Sequence, residues 1–367
     1  MSTTTTTKAL SLLVLMFFVS IVHATEPCLI NSIYQFGDSI SDTGNLIRNG
    51  PIGAKSHAAS FPYGQTYFHQ PTGRCSNGQL MIDYLARRLQ LPLLNPYLNV
   101  NTTNPSSFSN GVNFAVAGST ALNSSFFAAR SLHVPATNTP LSTQLSWFKS
   151  HLRSTCHGPC LKQSLIMMGE IGGNDYNYGF FQAKSTEEIR SYVPHVVGAI
   201  AAAARDVIRA GAVNVVVPGN FPVGCFPIYL TSFPVNDPKA YDDKGCLIHL
   251  NEFAMDHNSQ LQEAISSLRK EFPGVVIVYG DYYKAFQYVL RGSVGFDKSV
   301  ALKSCCGIGG AYSYDGKRQC GAAGVPVCQN PDKFISWDGV HLTQKAYRFM
   351  SKFLNNKILT QIKCGTA

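Results

Sequence analysis

The chain has 367 residues and a formal net charge of +9 at pH 7, yet only 14% of its residues are charged. Its basic residues are scattered, with no run longer than Arg87-Arg88, which excludes the clustered footprint of a nucleic-acid-binding surface. No stretch reaches the roughly 18 uncharged apolar residues that a membrane span needs.

The chain opens on a targeting pattern. Lys8 precedes an apolar run over 9–22, and Val22-His23-Ala24 supplies a small-residue cleavage site. Residues 1–24 are therefore expected to be a signal peptide and 25–367 a single domain of the secretory pathway, secreted or vacuolar. All eleven cysteines follow the expected cleavage site, and an oxidising compartment would pair most of them. Cys156-x3-Cys160 can close a small loop. Cys305, Cys306, Cys320 and Cys328 crowd a Gly-rich stretch; without C-x2-C spacing they read as disulfide staples rather than zinc ligands. Asn101-Thr102-Thr103 and Asn123-Ser124-Ser125 are glycosylation sequons that fit secretion.

Short apolar runs at 32–36, 112–116, 164–168, 213–218 and 275–279 predict strands. They are rich in Val, Ile or aromatics, as parallel strands buried on both faces are. Helical patterns fall between and after them, at 79–89, 142–152, 186–210, 247–270, 281–291 and 343–354. The alternation predicts a doubly wound parallel sheet with helices on both faces, and functional groups beyond the strands' carboxyl ends. Two stretches, 48–75 and 303–331, break the pattern as long loops, which at such length are usually functional or cross-linked.

Four motifs sit at strand ends or helix starts. Gly37-Asp38-Ser39 follows the first strand, and Gly111–Gly118 runs through and beyond the second. Gly169-Glu170-Ile171-Gly172-Gly173-Asn174-Asp175 follows the third, and Trp337-Asp338-Gly339-Val340-His341 precedes the last helix. Acyl transfer from an ester needs a nucleophile, a base, a group that orients the base, and oxyanion donors. Ser39 can be the nucleophile and His341 the base. Asp338, three residues earlier, can hold the imidazole in the right tautomer. The backbone N–H groups of Ser39 and Gly118 and the amide of Asn174 can receive the oxyanion. Taken singly, Gly118 and Asn174 read as turn or cap residues and Asp338-x-x-His341 as a surface ion pair; the ordered set is what points to chemistry. No G-x-S-x-G elbow, H-E-x-x-H or P-loop motif offers a competing site.

The set resembles the four blocks of the plant GDSL esterase/lipases, or SGNH hydrolases, over roughly residues 32–364. The resemblance implies a flavodoxin-like three-layer α/β/α sandwich on a mainly parallel five-stranded sheet. It also implies a serine esterase acting on a small-molecule ester through a Ser39 acyl-enzyme, with no cofactor and no metal. Ser39, Asp338 and His341 would form the triad, and Ser39, Gly118 and Asn174 the oxyanion hole. Within the plant branch, 91–98, 111–118 and 305–310 are similar to acetylajmalan esterase-like members. That similarity points to an acetyl ester of a specialised metabolite such as an indole alkaloid, while the family also admits phenolic, lipid and cell-wall acetyl esters. Two other readings use the same residues or scaffold: an acyltransferase passing the acyl group to another alcohol, and a non-catalytic wall- or glycan-binding protein.

Overall fold

The structure is a computed structural model and describes residues 30–99, 108–134, 139–156, 158–292 and 295–363. The expected signal peptide, Asn101, Cys28 and Cys364 lie outside the described residues. The strands are β1 Ser32–Phe36, β2 Gly111–Asn113, β3 Ser164–Met168, β4 Asn214–Pro218 and β5 Val276–Gly280. The helices run in order as α1 Gly50–Ala54, α2 Met81–Arg88, α3 Ser124–Ala128, α4 Leu141–Thr155, α5 Gly173–Phe180, α6 Thr186–Arg190 and α7 Val193–Arg209. They continue as α8 Pro227–Ser232, α9 Ile248–Glu271, α10 Tyr282–Leu290 and α11 Gln344–Gln361.

The sheet order is β2-β1-β3-β4-β5, and every pairing is parallel. All residues of β1, β2 and β3 are buried, because helices cover both faces: α4, α7 and α9 pack together on one, α2, α10 and α11 on the other. The chain leaves β1 for the edge strand β2 and returns to the far side of β1 as β3. That reversal leaves a crevice beyond the carboxyl ends of β1 and β3, where open α/β sheets place their ligands.

Three predicted elements differ in extent. The ladder of β2 ends at Asn113, whereas the apolar run suggested a strand to 116. Phe114 and Val116 still donate to the Gln35 and Gly37 carbonyls (2.7 and 3.2 Å), but β1 turns away at Gly37 and the regular pairing stops. The single helix expected over 186–210 is two, α6 and α7, broken at Ser191-Tyr192; Pro194 sits in the first turn of α7, where its missing N–H costs nothing. Helix α11, expected to run to 354 or a little beyond, continues to Gln361 because Ile358 and Leu359 extend the buried stripe of Tyr347, Met350 and Leu354.

The disulfides Cys156–Cys160, Cys305–Cys328 and Cys306–Cys320 join the expected cysteines, and Cys225–Cys246 adds a pair that spacing did not suggest. Cys75 is free and buried. Loop 48–75 is anchored by Arg74, whose guanidinium forks onto both oxygens of Asp83 on α2 (2.9 and 2.8 Å); both side chains are buried.

Candidate active site

Gly37 ends β1 in a conformation few other residues adopt, with φ of +149°. A Cβ there would lie 2.6 Å from Ser41 Oγ and 2.8 Å from the Glu170 carbonyl oxygen. Gln144 of α4 pins both its backbone groups, accepting from the N–H (2.9 Å) and donating to the carbonyl (2.8 Å). The turn that follows lifts Ser39, half-buried, to the crevice. Beneath it, the buried Asp42 accepts the N–H groups of Gly44, Asn45, Leu46 and Ala117. One carboxylate thereby ties the Ser39 turn to the segment carrying Gly118.

The third segment is tied in the same way. Asp175, on α5, accepts the N–H groups of Ala121 (2.8 Å) and Leu122 (2.9 Å), and Tyr178 donates to the Gly118 carbonyl (2.8 Å). Gly118 has φ of +82°. Among the described residues, the N–H groups of Ser39 and Gly118 have no hydrogen-bond acceptor. The Asn174 amide is more committed: Nδ2 donates to Asp38 Oδ2 and to the Ser119 carbonyl, both at 3.0 Å. For Asn174 to bind a third acceptor, one of those hydrogens must be shared.

His341 arrives from the segment before α11. Its Nε2 lies 2.8 Å from Ser39 Oγ, and its Nδ1 lies 2.7 Å from Asp338 Oδ2. Asp338 is saturated with donors. Oδ1 accepts the N–H groups of Val340 (3.0 Å) and His341 (2.7 Å), and Oδ2 also accepts the hydroxyl of Tyr63 (2.8 Å). Burial raises its pKa, but the His341 charge and these hydrogen bonds outweigh it and bring the carboxyl down to about 2. For His341, burial favours the neutral ring, yet the Asp338 charge and hydrogen bond prevail and hold its pKa well above 6.5. Gly339, with φ of +99°, lets the loop pass under Tyr314; a Cβ there would sit 2.2 Å from that ring.

The neighbouring carboxyls behave differently. Burial pushes Asp38 and Asp175 up to about 7 despite the N–H groups they accept. Burial and the Asp38 and Asp175 charges raise Glu170 well above the usual carboxylate range. Sequence patterns gave no role to Glu170, although it stands inside the third motif. They also missed Tyr63, which meets Asp338 across 275 positions from an aromatic-rich loop with no recognisable spacing. Of the two sequons, Asn123 is exposed at the start of α3, where its side chain makes no capping bond and its Oδ1 accepts from Ser142 Oγ (2.6 Å). Among the described residues, no cluster of His, Cys, Asp and Glu has the makings of a metal site.

Two cavities open onto Ser39. One, of about 360 Å³, is walled by the two long loops and lined by Tyr63, His57, Tyr314 and Gln319 together with Gly118 and His341. The other, of about 60 Å³, runs under α8 among Phe221, Phe226, Tyr229 and Glu170.

A family model described as GDSL-like Lipase/Acylhydrolase matches residues 33–354. A GDSL esterase/lipase of Arabidopsis thaliana is 71% identical over 365 residues, 99% of each chain. Acetylajmalan esterase 1 of Rauvolfia serpentina is 50% identical over 345 residues, covering 92% of this chain and 89% of its own. Among solved structures, an acetyl xylan esterase from Geobacillus stearothermophilus gives a TM-score of 0.40 at 13% identity, covering 92% of this chain and 99% of that one. The family model and the two plant relatives place the protein in the class of carboxylic ester hydrolases acting on small-molecule esters. Within that class it belongs to the GDSL esterase/lipase family.

Proposed function

We propose that this protein is a secreted serine esterase that removes a short acyl group, in the first instance acetyl, from a specialised-metabolite alcohol such as an indole alkaloid. The continuous relay from Ser39 Oγ through His341 to Asp338, at 2.8 and 2.7 Å, carries the reading. Neutral His341 takes the Ser39 proton as Oγ attacks the ester carbonyl. The oxyanion falls to the N–H groups of Ser39 and Gly118 and to the Asn174 amide. The intermediate collapses as the imidazolium returns that proton to the alcohol oxygen, leaving the acyl group on Ser39. Water, deprotonated by His341, then releases the acid. The acetyl preference is supported by acetylajmalan esterases at 50% identity. Secretion, with residues 1–24 removed, 25–367 retained as one domain and glycans on Asn101 and Asn123, is supported by four disulfides among the described residues.

The test is Ser39→Ala together with a panel of acetyl, feruloyl, sinapoyl and long-chain esters. The variant should fold normally and lose turnover by several decades, about 10⁶-fold in the serine-protease precedent. A folded Ser39→Ala protein that keeps near-normal activity refutes the assignment. Hydrolysis of the long-chain esters alone refutes the acetyl reading.

A further inference from the structure

The two cavities at Ser39 share only Ser39, Asn174, Ile228 and Val340, and their unequal size becomes informative once each is matched to one half of an ester. His341 makes that match. When the tetrahedral intermediate breaks down, the base must reach the leaving-group oxygen. His341 and Asp338 line the larger cavity and not the smaller. The alcohol therefore departs on the larger side, and the acyl chain, on the other side of the carbonyl carbon, faces the smaller.

We propose that the cavity under α8 is the acyl pocket, and that Tyr229 and Phe226 set its depth so that it takes short acyl groups in preference to long ones. This rests on the Ser39 acyl-enzyme reading. Its volume, about 60 Å³, is a small fraction of the about 360 Å³ on the other side of Ser39, so the smaller half of the ester fits here. The larger cavity, at about 360 Å³, falls within the roughly 300–1,000 Å³ that receives drug-sized molecules. The pair thus suits a small acid esterified to a bulky alcohol.

The small pocket is also built to resist enlargement. The Tyr229 hydroxyl donates to Asn177 Oδ1, and its ring packs against Phe180, Phe181 and Phe233. Phe226 is wedged between Phe221 and Phe286, beside the Cys225–Cys246 disulfide. The N–H of Ile228 donates to the Gly339 carbonyl (3.1 Å), fixing the start of α8 to the His341 segment. A longer chain would have to displace a packed ring, and close-packed interiors do not yield cheaply.

The experiment measures kcat/KM for acetyl, butanoyl and octanoyl esters of one alcohol, 4-nitrophenol. The wild-type protein should favour acetyl over octanoyl by at least about 100-fold, in the range that pocket sterics achieve. Tyr229→Ala should raise the octanoyl-to-acetyl ratio by about tenfold or more. Tyr314→Ala, on the larger cavity, should leave that ratio within twofold. Should Tyr229→Ala fail to fold, Val223→Phe, at a half-buried wall position, should lower butanoyl relative to acetyl by about tenfold. A wild-type protein indifferent to chain length overturns the proposal, as does a ratio that moves with Tyr314 and not with Tyr229 or Val223. Near-normal turnover by a folded Ser39→Ala protein would instead overturn the acyl-enzyme reading beneath it, whatever the ratios.

Discussion

Asp338→Asn isolates the orienting role proposed for Asp338, because all four hydrogen bonds to its carboxylate come from donors. An asparagine can keep its oxygen toward the backbone N–H groups of Val340 and His341, or toward Tyr63 and His341 Nδ1, but not both. The second orientation would point the NH₂ at two backbone donors that cannot rotate away, at a cost of about 1–3 kcal/mol for each buried donor left unpaired. The first is therefore favoured by about 2–6 kcal/mol. In it the NH₂ donates to Nδ1, the ring proton moves to Nε2, and His341 can no longer accept from Ser39. The tautomer preference alone lowers kcat by about 30-fold to 3 × 10⁴-fold, a range that spans the ~10⁴-fold seen for this change in serine proteases, and losing the charge that stabilises the imidazolium adds to it. The pH profile moves as well. Wild-type activity should rise with pH through the His341 pKa, above 6.5, because only the neutral ring is a base. Without the Asp338 charge, that limb should shift to lower pH. Initial rates on 4-nitrophenyl acetate between pH 5 and 9, with a thermal melt to establish folding, read both effects. Less than a tenfold loss with an unmoved limb would mean that Asp338 does not hold His341.

Asn174→Ala should lower kcat by about 10²–10³-fold with little change in KM, as steady-state kinetics will show, since the oxyanion exists only beyond the ground state. Arg74→Met should reduce the unfolding free energy by about 3–5 kcal/mol in urea titrations, because Asp83 would stay buried without its bidentate partner. The folded-state pKa values of Asp38 and Asp175, about 7, lie above the usual value near 3.9 for a free aspartate. The folded protein therefore holds more protons between about pH 4 and 7. Their stabilising contribution is complete below the unfolded pKa and fades as pH rises through 7, so calorimetry should give a higher melting temperature at pH 5.5 than at pH 7.5.

The parts legible in the sequence were those set by local rules. β1 and β3 appear with the predicted bounds because a five-residue run buried on both faces has no polar alternation to blur its ends. Ser39, Gly118, Asn174, Asp338 and His341 stood out because each sits where a strand ends or a helix begins, and the structure brings all five around one crevice. Pro194 was in plain view, yet the helical periodicity around it masked the break between α6 and α7. Long-range pairings left no such trace. Nothing in loop 48–75 marks Tyr63 as the partner of Asp338, and nothing in the spacing of Cys225 and Cys246 distinguishes that pair from other combinations. The size of the two cavities is likewise a product of packing among α8, the loops and the His341 segment, and no single stretch of chain encodes it.

The Cys306–Cys320 disulfide has a consequence for how such a protein can diversify. It closes a loop with a sequence separation of 14, whose base is docked beside Asp338 by the Cys306 N–H donating to the Trp337 carbonyl (2.6 Å). Tyr314, Gln319 and Cys320, all within that loop, face the larger cavity, while Ser39 and Gly118 follow the ends of β1 and β2. The loop is thus an exchangeable cassette with clamped ends. Apart from Tyr314, which packs on Gly339, its interior can be rewritten by substitution or grafting to suit a new alcohol without touching the hydrogen bonds that join Ser39, His341 and Asp338.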